Sequence, residues 1–445
     1  MILSFIFALF SILITYLCSN SFASFMMAGT TFVLGQIFCN IVQRENRDKA
    51  KILFNIVFSF LTIFACIHYM DTVVDWSTFA QDWRDEYKYW LILEDVKHST
   101  SLYDVLEYVN ERFSENNGHN SYIAILAYLA ERYFDGNSLL LHFLGSALFG
   151  SLSSVVFFKI LLLYFDKTKA MKNAIIFSLL SGVLTYGFNL VRDIHVYFFF
   201  LINTYILLTK FEVKKVIMLV LSCIILFSLR FESGMFALVF PIFYIYNKFK
   251  KNWLLLLLFI PIVMSIAVSV FMDNYSKLKE AVEFYNQSFN DVLANTDGLT
   301  KIVESLPPVI KEIFSFLQWI IFPFPSYNAL TQSSNIWNVL TSILIIVYQF
   351  FHLMIMFLTA KWLLVNKTAK LLPSQIKYAL IIGLALAFVS LSNMTTRRVL
   401  ITYAIIYVAY LIIKEKLSLS VIKKDKMFAV VFYLFINILY LILKA

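Results

Sequence analysis

Residues 138–172 read SLLLHFLGSALFGSLSSVVFFKILLLYFDKTKAMK, and this stretch decides the class of fold. From Ser138 to Tyr164 it carries no acid and a single lysine, Lys159. A helix of that length rises roughly 40 Å, more than the ~30 Å hydrocarbon core of a bilayer. It ends in the basic turn Asp166-Lys-Thr-Lys-Ala-Met-Lys172, and a second apolar run, 173–190, follows directly. Two apolar runs joined by a short basic turn have the pattern of two membrane crossings connected on the cytoplasmic side.

The same unit recurs along the chain. Of its 445 residues 60% are hydrophobic and 15% charged, with a mean hydropathy of +0.76. The 46 Phe and 25 Tyr suit lipid-facing surfaces and interfacial belts. Approximate spans are 2–18, 22–43, 52–70, 138–164, 173–190, 194–209, 216–230, 235–247, 252–272, 336–360, 378–394, 399–413 and 427–443. The expected fold is therefore an all-α polytopic membrane protein with about 13 transmembrane helices. Unpaired backbone groups cannot be left in lipid, so residues 1–445 are expected to form one integral membrane domain. Ile2–Cys18 lacks a basic flank and a cleavage site and reads as a retained first span.

Orientation follows from charge. Arg44–Lys51, Asp166–Lys172, Lys210–Lys215, Lys248–Lys251, Lys361–Lys377 and Lys414–Lys426 hold 22 of the 37 Lys and Arg. The positive-inside tendency places them in the cytoplasm, with the N-terminus inside and the C-terminus outside. The net charge of +9 is thus a topological signal, and no nucleic-acid motif accompanies it. Two long periplasmic segments remain, 71–137 and 273–335, expected to carry amphipathic or re-entrant helices. The first holds 13 acidic and 5 basic residues, with amphipathic stretches at Ser101–Phe113 and Tyr122–Phe134. In the second, Ile313–Pro325 is too short and Pro-broken to span, which makes it a re-entrant candidate.

Cations on the outer side need a separate reason. Arg192, Arg230, Arg397 and Arg398 all fall at the ends of spans opposite the basic loops. Guanidinium is planar, permanently charged and matched to phosphate oxygens, so a phosphorylated lipid headgroup is the expected partner. The bland alternative is that each arginine pairs with a nearby acid such as Asp193 or Glu232. Val191-Arg-Asp-Ile-His-Val-Tyr197 opens a span, which puts Arg192 and Asp193 at a helix N-terminus, where anions are favoured. Asp193 also suits a plain capping role. His195 is a candidate proton carrier. Arg230 and Glu232 sit in Arg230-Phe-Glu-Ser-Gly234 between two short spans. Their turn is expected below the outer surface, where charges are costly and functional.

Asp82-Trp-Arg-Asp-Glu-Tyr-Lys-Tyr-Trp90 supplies the other half of a transfer reaction. Asp85 or Glu86 is a candidate base for an acceptor hydroxyl, and the arginines would stabilise a departing phosphate. Trp83, Tyr87, Tyr89 and Trp90 could stack on sugars or mark the interface. The four cysteines lie in apolar segments and suggest neither a disulfide nor a metal site. No metal site or cofactor is called for, although a divalent ion is left open. No P-loop, GxSxG, HExxH or Rossmann pattern occurs with its proper flanks. The outward concentration of charge argues against a transporter or flippase, whose charges sit near the midplane.

Asp71…Asp75…Asp85-Glu86-Tyr87 after three spans resembles bacterial surface-polysaccharide polymerases of the Wzy and EpsG kind. So does Gly187-Phe-Asn-Leu-Val-Arg-Asp193 leading into a span and then a hairpin after a basic turn. The resemblance covers roughly residues 52–250 and lacks the family's glycine before the first outer acid. It implies polymerisation of undecaprenyl-pyrophosphate-linked repeat units at the periplasmic face during O-antigen or capsule synthesis. It further implies a bacterial inner-membrane location, and a chain-length regulator and flippase as pathway partners. Carried over by position, it implicates Arg192, then Arg230, Arg397 and Arg398, in holding pyrophosphate. The Arg-Asp span opening followed by Arg-Phe-Glu is also similar to GT-C glycosyltransferases, which use polyprenyl-phosphate sugars and an outer-loop acid. Asp85 or Glu86 would match that acid, though in most of them it follows the first span.

Overall fold

The computed structural model describes residues 1–74, 84–112, 117–249, 336–390 and 400–444, with 307, 310, 327 and 330. Those residues form helices and connecting turns, with no strand among them. In chain order the helices are α1 (Ile2–Ser19), α2 (Phe22–Phe38), α3 (Arg47–Val74), α4 (Arg84–Val96), α5 (Leu102–Arg112), α6 (Asn117–Tyr133), α7 (Leu139–Leu161) and α8 (Lys167–Leu180). They continue with α9 (Gly182–Tyr186), α10 (Asp193–Leu208), α11 (Val213–Leu229), α12 (Phe231–Ala237), α13 (Val239–Phe249), α14 (Ile336–Leu364), α15 (Ser374–Ser390), α16 (Leu400–Lys414) and α17 (Leu419–Lys444). Span 252–272, the segment 273–335 apart from four isolated residues, and the re-entrant candidate Ile313–Pro325 lie outside the described residues.

Five helical stretches among the described residues are long and apolar enough to cross a membrane: Ile2–Ser19, Phe22–Ile41, Arg44–Val73, Leu139–Leu161 and Asn338–Leu364. The outer surface agrees with their composition. Leu3, Leu13 and Leu17 of α1, Ile217, Leu221 and Ile224 of α11, and Val431, Phe435 and Ile438 of α17 are exposed. Apolar faces of that extent mark contact with something other than water. Polar groups point the other way. Ser11, Thr15, Ser24, Thr31, Ser59, Thr62, Ser151 and Ser154 are all buried. Gln36 Nε2 donates to Asn55 Oδ1 at 2.6 Å, a polar link from α2 to α3 of the kind that holds helices together in lipid.

α7 is the centre of the bundle. It is buried along almost its whole length and packs on α2, α3, α8 and α10. Small residues permit this. A methyl group added at Gly150 would stand 2.8 Å from Leu61 and 3.3 Å from the Gly187 Cα, so three chain segments meet there with no spare room.

The expected span 173–190 is not one continuous helix. α8 stops at Leu180, Ser181 turns to extended backbone, and its side chain accepts from the Val183 N–H to start the short α9. Residues 187–192 are then irregular. Gly187 is required at this bend, because a Cβ there would lie 2.4 Å from the Val183 carbonyl oxygen and 2.8 Å from Leu61. Gly187→Ala is expected to cost about 1–3 kcal/mol by overpacking. Gly29→Ala, with nothing within 4 Å of its new methyl, is expected to be neutral or slightly stabilising. Thermal unfolding of the purified variants checks this, and equal behaviour of the two would refute it.

Four of the six basic connections are tied together pairwise by side-chain contacts. Lys49 Nζ reaches Thr168 Oγ1 at 3.0 Å, Lys169 pairs with Glu415 at 2.9 Å, and Lys361 pairs with Asp425. Trp362 Nε1 also donates to Asp425, at 2.8 Å. From Lys49 to His68 the helix α3 rises about 28 Å, so His68 lies at the opposite end. There the α1–α2 turn meets the α6–α7 turn: the Asp135 carboxylate accepts from the Phe22 N–H, and from the Ala23 N–H at 2.7 Å.

Candidate functional site

Residues 187–192 deliver Arg192 and Asp193 to the start of α10. The Arg192 carbonyl accepts from the His195 and Val196 amides, which makes Arg192 the capping residue. Asp193 occupies the first turn, where the helix dipole favours a carboxylate. Its Oδ1 accepts from Arg230 Nη2 at 2.7 Å, and both side chains are buried. Arg230 is held by a break between helices. α11 ends at Leu229, Arg230 takes extended backbone, and α12 begins at Phe231. The helix leading to it starts at Val213, three residues before the expected span 216–230, and rises about 25 Å.

Arg230 is thus committed to Asp193, which realises the bland reading of that arginine. Arg192 is not. It is half-buried and forms no ion pair among the described residues, and it stands beside a helix N-terminus. Glu232 is half-buried in the first turn of α12, within electrostatic range of Arg230, as is Tyr89.

A second pair lies on the other side of Tyr89. Glu86, on α4, is buried, and its Oε2 lies 3.0 Å from His68 Nε2, with the His68 side chain fully buried near the end of α3. His68 stacks on Phe143 at a centroid distance of 4.7 Å. Tyr89 is one turn beyond Glu86 on α4 and meets the His119 ring edge-on at 4.7 Å. His119 in turn meets His195 at 5.1 Å. The path Glu86–Tyr89–His119–His195 therefore joins the histidine–carboxylate pair to the start of α10. Gly118 presses on Ser228 at the end of α11, so the N-terminus of α6 closes the cluster on the Arg230 side.

His119 is fully buried, and neither ring nitrogen has a hydrogen-bond partner among the described residues. Burial, followed by the nearby His195 imidazole and the Arg192 guanidinium, holds its pKa well below the ordinary histidine value. A neutral imidazole in this position can still give or take a hydrogen bond.

Six of the nine residues singled out from sequence thus have placed side chains: Arg192, Asp193, His195, Arg230 and Glu232 group around the α10 start, and Glu86 joins them through aromatic rings. Asp85 sits beside Glu86 on α4, and its side chain is outside the described residues, as are Arg397 and Arg398. Sequence reasoning missed His68 and His119, and it read Tyr89 only as a sugar-stacking or interface residue, not as a neighbour of His119. His68 carried a usable signal, an ionisable group inside an apolar span. Among the described residues no three His, Cys, Asp or Glu side chains gather to hold a metal ion.

No protein family, curated protein or solved structure matches this chain.

Proposed function

We propose that this chain joins polyprenyl-pyrophosphate-linked oligosaccharide repeat units outside the membrane, as a multi-pass inner-membrane polymerase with about 13 crossings and a cytoplasmic N-terminus. The observation that carries this reading is an arginine without an ion-pair partner among the described residues, Arg192, beside a helix N-terminus and in one cluster with a histidine–carboxylate pair. The cluster lies at the end of the bundle opposite the basic connections, which is the outer end if those connections are cytoplasmic.

In this reading the acceptor hydroxyl of the incoming unit attacks the anomeric carbon of the growing chain. The bond from that carbon to the pyrophosphate oxygen breaks, and the pyrophosphate leaves with the electron pair. Arg192 and the amides at the start of α10 stabilise the charge that develops on it. The hydroxyl proton passes to the Glu86–His68 pair. Arg230 holds Asp193, and with it the start of α10. Flippase and chain-length regulator would supply and limit the substrate.

The test is the surface-glycan profile of a deletion strain complemented with wild type, Arg192→Ala or Arg192→Lys. Lipid core carrying one repeat unit without a ladder is expected for the deletion. Both variants should lower polymer yield on the order of 10²-fold, because lysine cannot reproduce the guanidinium fork. A full ladder lacking one sugar would instead favour a GT-C-like transferase, a second reading that the placement of the buried Glu86 carboxylate also suits. An unchanged profile in the deletion would sink both.

A further inference from the structure

At the end of the bundle that holds the cluster, a separate cavity of about 340 Å³ opens between the α1–α2 turn, the end of α3, α4 and the α6–α7 turn. Asn20, Tyr69, Thr72, Trp90, Asp135 and Asn137 are among its lining residues. Its volume is at the lower end of the roughly 300–1,000 Å³ range of small-molecule pockets.

The lining contains no lysine, arginine or histidine. Its one carboxylate, Asp135, is already engaged by the Phe22 and Ala23 amides. Burial raises the Asp135 pKa, but those donors outweigh it and hold the group below the usual carboxylate range. A negative charge in an otherwise neutral pocket disfavours phosphate. Two aromatic rings beside amide and hydroxyl groups instead offer an apolar face and directional hydrogen bonds together.

Asn137 supplies the most specific feature. Its Oδ1 faces His142 Nε2 at 2.7 Å, and its backbone N–H donates to Glu131 Oε1 at 2.8 Å. Its side-chain nitrogen is buried and has no hydrogen-bond partner among the described residues. A buried donor left unmatched costs about 1–3 kcal/mol.

The cavity adjoins the cluster through shared elements. Tyr69 follows His68 directly on α3, and Trp90 follows Tyr89 directly on α4, one turn beyond Glu86. We propose that this cavity is the subsite for an uncharged pyranose of the lipid-linked glycan, seating it beside the Glu86–His68 pair. This assignment rests on the polymerase reading and deepens it: Arg192 takes the phosphate end, and the Trp90–Asn137 cavity takes a sugar ring.

The experiment uses the full chain in phospholipid nanodiscs, free of glycosidic detergent, with saturation-transfer NMR as readout. The probes are the methyl glycosides of glucose, galactose, mannose and N-acetylglucosamine, with methyl glucuronide and inorganic pyrophosphate as charged controls. Saturable contact with at least one neutral glycoside is expected, about tenfold weaker in Trp90→Ala and in Asn137→Asp. Asn137→Asp keeps the oxygen that faces His142, so it separates lost binding from lost folding. Competition by pyrophosphate should be absent. Failure of all four neutral glycosides, unchanged affinity in both variants, or preference for pyrophosphate would each overturn the assignment. None of those results bears on the ladder lost in Arg192→Ala, so failure here and failure of the polymerase reading remain distinct.

Discussion

Asp193→Leu and Arg230→Met, made singly, are each expected to destabilise the protein by about 3–5 kcal/mol, because either one strands a buried charge. The double variant should recover most of that loss, since an apolar pair of similar volume replaces two desolvated ions. Thermal unfolding of the purified variants reads the stability, and the glycan ladder reads the function. The double variant is expected to be stable and without a ladder, because α10 then starts without the charges that set the field around Arg192. Single variants within 1 kcal/mol of wild type would show that the 2.7 Å pair is not what holds the α10 start to the α11–α12 break. A double variant with a normal ladder would leave the pair a purely structural clamp.

The second large effect is expected at Glu86. Glu86→Gln keeps the size and one hydrogen bond toward His68 while removing the acceptor charge. If the pair takes the proton of the attacking hydroxyl, polymer formation falls about 10²–10⁴-fold with little change in unfolding temperature. Glu86→Ala adds a folding defect of about 1–3 kcal/mol, because the buried His68 nitrogen loses its partner. A wild-type ladder in Glu86→Gln would remove the pair from the chemistry and shift the base to Asp85.

The helices were legible in the sequence wherever a single physical signal dominated. Apolar length marked Leu139–Leu161 and Ile336–Leu364, and amphipathic spacing marked Leu102–Arg112 within one residue of Ser101–Phe113. Basic turns could be grouped before any contact was known, and Lys49–Thr168 and Lys169–Glu415 now join members of that group. The break after Leu180 was not legible. Ser181 ends α8 and caps α9 with its own side chain, and the second bend, at Gly187, is fixed by tertiary contact with Leu61 and Gly150 from two other helices.

The site was legible in its residue types and not in its pairings. Arg230 and Asp193 are 37 residues apart, and nothing in either segment chooses that acid over Glu232, two residues from the arginine. His68 and His195 each look like an isolated polar residue in an apolar setting, and His119 like one more polar residue in Glu115-Asn-Asn-Gly-His-Asn-Ser121. Only the packing of α3, α6 and α10 around the inward ends of Glu86 and Tyr89 turns them into neighbours.

The central position of α7 has a consequence for how the protein is made. A helix released from the translocation channel first meets lipid, yet α7 carries Ser146, Ser151, Ser153 and Ser154 on surfaces that end up covered by protein. α2 and α3 precede it on the ribosome and can shield two flanks as it emerges. The flank that receives α10 stays open until the Arg192–Asp193 segment has been synthesised. The start of α10 therefore closes that flank of α7, so the segment that presents Arg192 and Asp193 is also the one that finishes covering this helix. Synthesis arrested before α10 should leave an insertion intermediate with one flank of α7 uncovered, open to membrane quality control.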